Sequence, residues 1–125
     1  METKSIQLLF DIVSNCLPAK WYKIAMYFSY SGNAFIGKFY VDEGKGYKDC
    51  YNLGCERQAI KQILRSMEAI VVKERNELPE GNRWSIFTVF IQENGRFNVS
   101  YSYDDISETF LDQLSEWEKQ YIRQG

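Results

Sequence analysis

The sequence predicts an α+β fold, and three observations carry that prediction. Two pairs of alternating apolar segments are each joined by a tight Gly/Asn turn. Patterns with helical spacing precede, separate and follow these pairs. Tight turns make their strands antiparallel, which favours a sheet with one face on the core rather than a parallel sheet buried on both sides. The expected order is α-β-β-(β)-α-β-β-α: an antiparallel meander of four to five strands with helices over its apolar face, as one domain spanning 1–125.

Residues 3–16 fit an amphipathic helix, because Ile6, Leu9, Phe10, Val13 and Cys16 recur at steps of three and four and Pro18 ends the pattern. Trp21–Tyr30 and Phe35–Val41 form the first hairpin. Taking Gly32-Asn33 as its loop pairs Tyr30 with Phe35, Phe28 with Gly37, Met26 with Phe39 and Ile24 with Val41, so one face is almost wholly apolar. The opposite face carries Lys23, Ala25, Tyr27, Ser29, Ile36, Lys38 and Tyr40 and is expected to be partly solvated. After a Glu43–Gly46 turn, Tyr47–Tyr51 is a candidate short strand. A helix over about 56 to 75 buries Ile60, Ile63, Leu64, Met67, Ile70 and Val71.

The second hairpin lies in Trp84–Ile106, around Asn94-Gly95. These residues suit the two positive-φ positions of a type I′ turn. A two-residue loop there sets Phe90 against Val99, Thr88 against Tyr101 and Ile86 against Tyr103, with Tyr101 and Tyr103 on the core face. A last helix then runs from Asp105 to about Ile122. Asp105 and Glu108 are placed to form its capping box, and Ile106, Phe110, Leu111, Leu114, Trp117 and Tyr121 form its apolar face.

Composition narrows the functions. The 125 residues are 45% apolar and 16% aromatic, which argues against disorder. The formal charge is −2 and the pI about 5.2, so bulk neutralisation of phosphates is not expected and no nucleic-acid partner is assigned. There is no histidine, which removes the commonest general base and the commonest metal ligand together. No apolar run is long enough for a membrane span, and Asp11 interrupts the only leader-like stretch. The expected location is therefore the cytoplasm, with no membrane partner.

Few constellations suggest chemistry. Asp104-Asp105 is a carboxylate pair, but neighbours leaving a strand point apart and a helix cap accounts for Asp105. Cys50 and Cys55 have only Cys16 to complete a metal set and are expected to be two reduced thiols. Gly44-Lys45-Gly46 lacks the spacing of a phosphate loop. With no nucleophile–base pair and no metal set, neither an enzyme nor a cofactor is expected.

Charge placement says more. Asp104 to Glu118 holds six acidic residues and no basic one, with Glu108, Asp112 and Glu116 at i, i+4 and i+8. Like charges so placed repel by about 0.2–0.5 kcal/mol per pair. Arg57, Lys61 and Arg65 form a basic stripe at the same spacing. The two stripes neutralise each other if their helices lie side by side, or each is simply solvated, or the acidic one receives a basic partner. Tyr27 and Tyr40, off the expected core face, are candidate anchors for such a partner.

The segments Trp84-Ser85-Ile86-Phe87-Thr88, Asn94-Gly95-Arg96-Phe97 and Tyr101-Ser102-Tyr103-Asp104-Asp105-Ile106, with the later Trp117, resemble the YezG-type immunity proteins. That family shows a tryptophan-led strand, a D/N-G-K/R-F turn and a strand ending in Y-x-Y-D-D or F-x-Y-D-D. The resemblance is specific over about residues 84–117 and extends in layout to most of the chain. It implies a cytoplasmic antitoxin that binds and inhibits the toxic C-terminal domain, often a nuclease, of a secreted bacterial polymorphic toxin. The expected partner is that cognate toxin domain. An acidic inhibitor suits a surface built to grip phosphate, and Asp104, Asp105, Glu108, Asp112 and Glu116 are the expected interface. A small acidic secretion chaperone is the alternative, with Phe87, Val89 and Ile91 as its exposed apolar patch. The oligomeric state is left open.

Overall fold

Five strands and three α-helices organise the computed structural model, which describes residues 3–123. The strands are β1 (Lys23–Ser31), β2 (Ala34–Asp42), β3 (Tyr47–Asp49), β4 (Ile86–Gln92) and β5 (Phe97–Ser102). The helices are α1 (Thr3–Val13), α2 (Arg57–Glu77) and α3 (Phe110–Trp117), the last continued by a π-helical turn over Glu118–Ile122. All strand pairs are antiparallel, in the order β3-β2-β1-β4-β5. The α+β class and the element order are as expected, and Tyr47–Asp49 does join the sheet. The departure from a plain meander is α2, which carries the chain from β3 at one edge back to β4 beside β1.

The first hairpin has the expected register, with Tyr30 opposite Phe35 and Ile24 opposite Val41. Gly32 takes a φ of +59° and Asn33 a negative one, so glycine supplies the only left-handed residue of that loop.

The second hairpin is one residue out of the expected register. Val89, not Phe90, faces Val99, and Phe87 faces Tyr101. The loop has three residues, not two. Gly95 N–H donates to Gln92 O at 3.0 Å, and Gln92 N–H donates to Arg96 O at 2.8 Å. Gly95 alone takes a positive φ, +88°, and the Asn94 side chain accepts from Arg96 N–H at 3.0 Å. This is a type I turn closed by a left-handed glycine, which needs one positive φ where a type I′ turn needs two. The hydrophobic pattern does not forbid it, because both faces of β4 are apolar.

Each face of the sheet has its own core. On one, α1 and α2 bury Ile6, Leu9, Val13, Ile60, Ile63, Met67 and Val71 against Ile24, Met26, Phe28, Phe39, Val41, Phe87, Val89 and Ile91. Arg75 of α2 ties this layer to β4's entry: its guanidinium lies 4.1 Å from the Tyr30 ring centroid, and its Nε donates to Trp84 O at 2.7 Å. On the other face, Trp117 of α3 packs on Ala25, Tyr27 and Tyr40, with Ile36, Ile86, Phe90 and Leu114 around it.

Helices therefore cover both faces, not one. Tyr27 and Tyr40 are fully buried under α3 and are not surface anchors. Pairing with β1 sets Phe87 opposite Phe28 and Val89 opposite Met26, so Phe87, Val89 and Ile91 lie in the larger core and not on the surface. Tyr101 does keep to the expected core face, stacked on Phe87 with ring centroids 5.1 Å apart, but on the edge strand it is 38% exposed, and Tyr103 beyond the strand is 61% exposed.

Candidate functional site

The acidic run begins where β5 ends. Asp104 and Asp105 lie in the extended connection to α3, both exposed. The Asp105 carboxylate accepts from Ser107 N–H at 2.9 Å, and that bond holds its pKa below the usual carboxylate value. This Asx turn replaces the expected capping box. The chain turns through Thr109 N–H to Ile106 O, Ile106 is buried, and α3 starts only at Phe110. Glu108 thus stands in the turn before the helix, and the helical part of the stripe is Asp112 and Glu116. Leu111, expected on the buried face, is 76% exposed, whereas Leu114 and Trp117 of that face do pack on the sheet, because at about 100° per residue Leu111 falls to the side of the stripe they form.

All five carboxylates are exposed. The basic stripe of Arg57, Lys61 and Arg65 does not neutralise them, because α2 and α3 pack on opposite faces of the sheet. Among the described residues, the one basic contact to this group is Lys119 Nζ, 3.4 Å from Glu116 in the next turn. Both side chains are well exposed, so the pair contributes little.

Between α3 and the β4–β5 ladder runs an open groove of about 280 Å³. Ile86, Thr88 and Ser100 line its sheet side, Trp117 and Tyr121 its helix side, and Glu116 stands at its lip. Of the five carboxylates Glu116 lines this groove, and the aromatic rings of Trp117 and Tyr121 give it partly apolar walls.

The sixth acidic residue, Glu118, does something different. Its carboxylate is 13% exposed, accepts from the Tyr40 hydroxyl at 2.6 Å and lies 3.5 Å from Lys38 Nζ. Lys38 also pairs with Asp49 of β3. Burial pulls the Lys38 ammonium down, but the Asp49 and Glu118 carboxylates outweigh it and its pKa is raised. Burial pushes Asp49 up, but hydrogen bonds from Lys38 and Tyr51 N–H outweigh that and its pKa is lowered. The Tyr40 hydroxyl is driven up by burial and by the adjacent Glu118. This Lys38–Asp49–Tyr40–Glu118 cluster clamps the C-terminal helix to β2 and β3. Sequence reading missed it, since its members share no motif and lie far apart in the chain, Tyr40 and Glu118 by 78 residues.

All three thiols are free, and Cys16 and Cys55 lie side by side. Cys50 is buried and raised to about 12 by its burial, while Cys55 Sγ–H donates to Cys16 O at 3.5 Å. Among the described residues, no group of three or more His, Cys, Asp or Glu is placed to hold a metal ion. No described helix is long and apolar enough to cross a membrane.

Comparison with known proteins places the chain among the immunity proteins. Residues 4–123 match the family described as "Immunity protein YezG-like", and the chain belongs to that family. The match runs from the first turn of α1 to the end of the C-terminal helix, well beyond the motif-bearing segment at 84–117. A similar protein is the Immunity protein YezG of Bacillus subtilis (strain 168), 23% identical over 123 residues, an alignment covering 90% of this chain and 82% of that protein.

Proposed function

We propose that this protein is a cytoplasmic antitoxin that neutralises the toxic domain of a secreted polymorphic toxin, a nuclease, by stoichiometric binding without turnover. The single observation that carries the proposal is the exposed run of Asp104, Asp105, Glu108, Asp112 and Glu116, which only Lys119 contacts among the described basic residues. A nuclease needs a basic surface to hold phosphate, and an acidic surface of similar extent can occupy it. Membership of an immunity family supports a protein partner. The groove supplies the apolar contact that charge alone does not. The chaperone alternative loses its support, because Phe87, Val89 and Ile91 are buried.

The test reverses Glu108, Asp112 and Glu116 to Lys. The triple variant is expected to fold normally, since all three side chains are exposed, and to lose capture of the toxin domain in pull-down and calorimetry. Undiminished binding by a folded triple variant would remove the acidic run from the interface. Purification of a tagged protein from its host tests the wider reading. One nuclease recovered in fixed ratio with its activity silenced supports it, and several unrelated secreted proteins held in extended form would return the chaperone.

A further inference from the structure

The two edges of the sheet are built differently. β3 has three residues, and its charges are engaged: Lys48 with Glu43 at 2.7 Å, and Asp49 with Lys38. Shortness and charge are the usual guards against unwanted strand pairing. β5 has six residues, and from Phe97 to Tyr103 it carries no charge and no proline. It is the outermost strand on its side. Gln92 N–H bonds inward to Arg96 O, so antiparallel alternation turns the backbone groups of Phe97 and Val99 away from β4.

We propose that a second copy of this chain occupies the β5 edge, pairing β5 with β5 antiparallel about a two-fold axis through Ser100. The segment Arg96-Phe97-Asn98-Val99-Ser100-Tyr101-Ser102-Tyr103-Asp104 is self-complementary in that register. Arg96 of each copy meets Asp104 of the other, so the only charges in the segment are matched twice. Phe97 meets Tyr103 and Val99 meets Tyr101 on one face, and Asn98 meets Ser102 on the other. The outward-bonding residues thereby pair with one another, as an antiparallel ladder requires. Phe97, Tyr101 and Tyr103 are 37%, 38% and 61% exposed in the single chain, and this pairing covers all three. The two-fold axis is perpendicular to the sheet, so a ten-stranded sheet results with both α3 helices on the same face. The self-pairing stands independently of the antitoxin proposal, although it engages Asp104 within the dimer.

Analytical ultracentrifugation of the full chain tests the pairing. The expected species at micromolar concentration has twice the 14.7 kDa chain mass. Ser100→Lys places two ammonium groups against each other on the axis and is expected to give a monomer with an unchanged circular dichroism spectrum. Arg96→Asp alone weakens the dimer roughly tenfold, and adding Asp104→Arg restores it, because each exchange acts on two symmetric pairs. A wild-type chain that stays monomeric at high concentration overturns the proposal. So does a dimer indifferent to Ser100→Lys, or a charge exchange that does not restore pairing. A wild-type monomer whose capture of the toxin domain is lost on Ser100→Lys would also overturn it and assign the edge to a strand of that partner.

Discussion

Replacing Trp117 with alanine separates the observed packing of the last helix from the packing its sequence suggests. Trp117 is 8% exposed and is the buried residue of α3. Its ring sits 5.1 Å from that of Tyr27, 5.6 Å from Tyr40 and 6.0 Å from Phe90. A buried Trp→Ala change costs about 3–5 kcal/mol, and losing four aromatic contacts at once, with Tyr27, Tyr40, Phe90 and Tyr121, places this site at the upper end. An eight-residue helix has little stability of its own, so losing its anchor frees the helix before it unfolds the sheet. Urea denaturation followed by far-UV circular dichroism measures the total loss. Hydrogen exchange locates it: amides of α3 and Glu118–Ile122 lose protection, while β1, β2 and β4 keep theirs. Leu111→Ala is the control, because helical periodicity assigns it to the same apolar face yet it is 76% exposed, and its cost is expected to stay below about 0.5 kcal/mol. Equal costs for the two variants, or a Trp117→Ala loss below about 1 kcal/mol with α3 protection intact, would refute this packing.

Further consequences are open to measurement. Asp49's pKa is lowered in the folded protein, so its contribution is complete above the unfolded value near 3.8 and is lost as pH falls through the folded value. The urea midpoint should drop on acidification through that window, and Asp49→Asn, which keeps an acceptor for Tyr51 N–H, should flatten the slope. The opposite sign holds for Lys38: its raised pKa makes its contribution full below 10.5 and lost as pH rises through the folded value, so Lys38→Met should blunt alkaline destabilisation. Thiol titration of the native protein at pH 8 should modify Cys55 first, because burial raises Cys16 to about 11 and Cys50 to about 12, and denaturant should abolish the order. Gly95→Ala forces a side chain into φ +88° and should cost about 1–2 kcal/mol, whereas Asn94→Ala, with a negative φ, loses only the side-chain bond to Arg96 N–H.

The sequence by itself determined the α+β class, the order of elements, the buried side of α2 and the register of the first hairpin. In that hairpin one face is apolar and the other mixed, so a one-residue slip would place the wrong set on the larger core. It also carried the family resemblance and the acidic run, since both are properties of consecutive residues. Only the tertiary structure decided the rest. In the second hairpin β4 is apolar on both faces, so composition accepted either register and the turn's backbone geometry chose. That choice set Phe97, Val99 and Tyr101 beside Ile91, Val89 and Phe87, which the pairing of β4 with β1 turns toward the larger core, and the edge position of β5 left Tyr101 partly exposed. Helical spacing describes a face but not which side of the sheet receives it. α3 therefore went to the face opposite α2, burying Tyr27 and Tyr40 and leaving the acidic run without the basic stripe. The same placement created the Lys38–Asp49–Tyr40–Glu118 clamp, because long-range ion pairing follows from where elements meet and leaves no trace in local spacing.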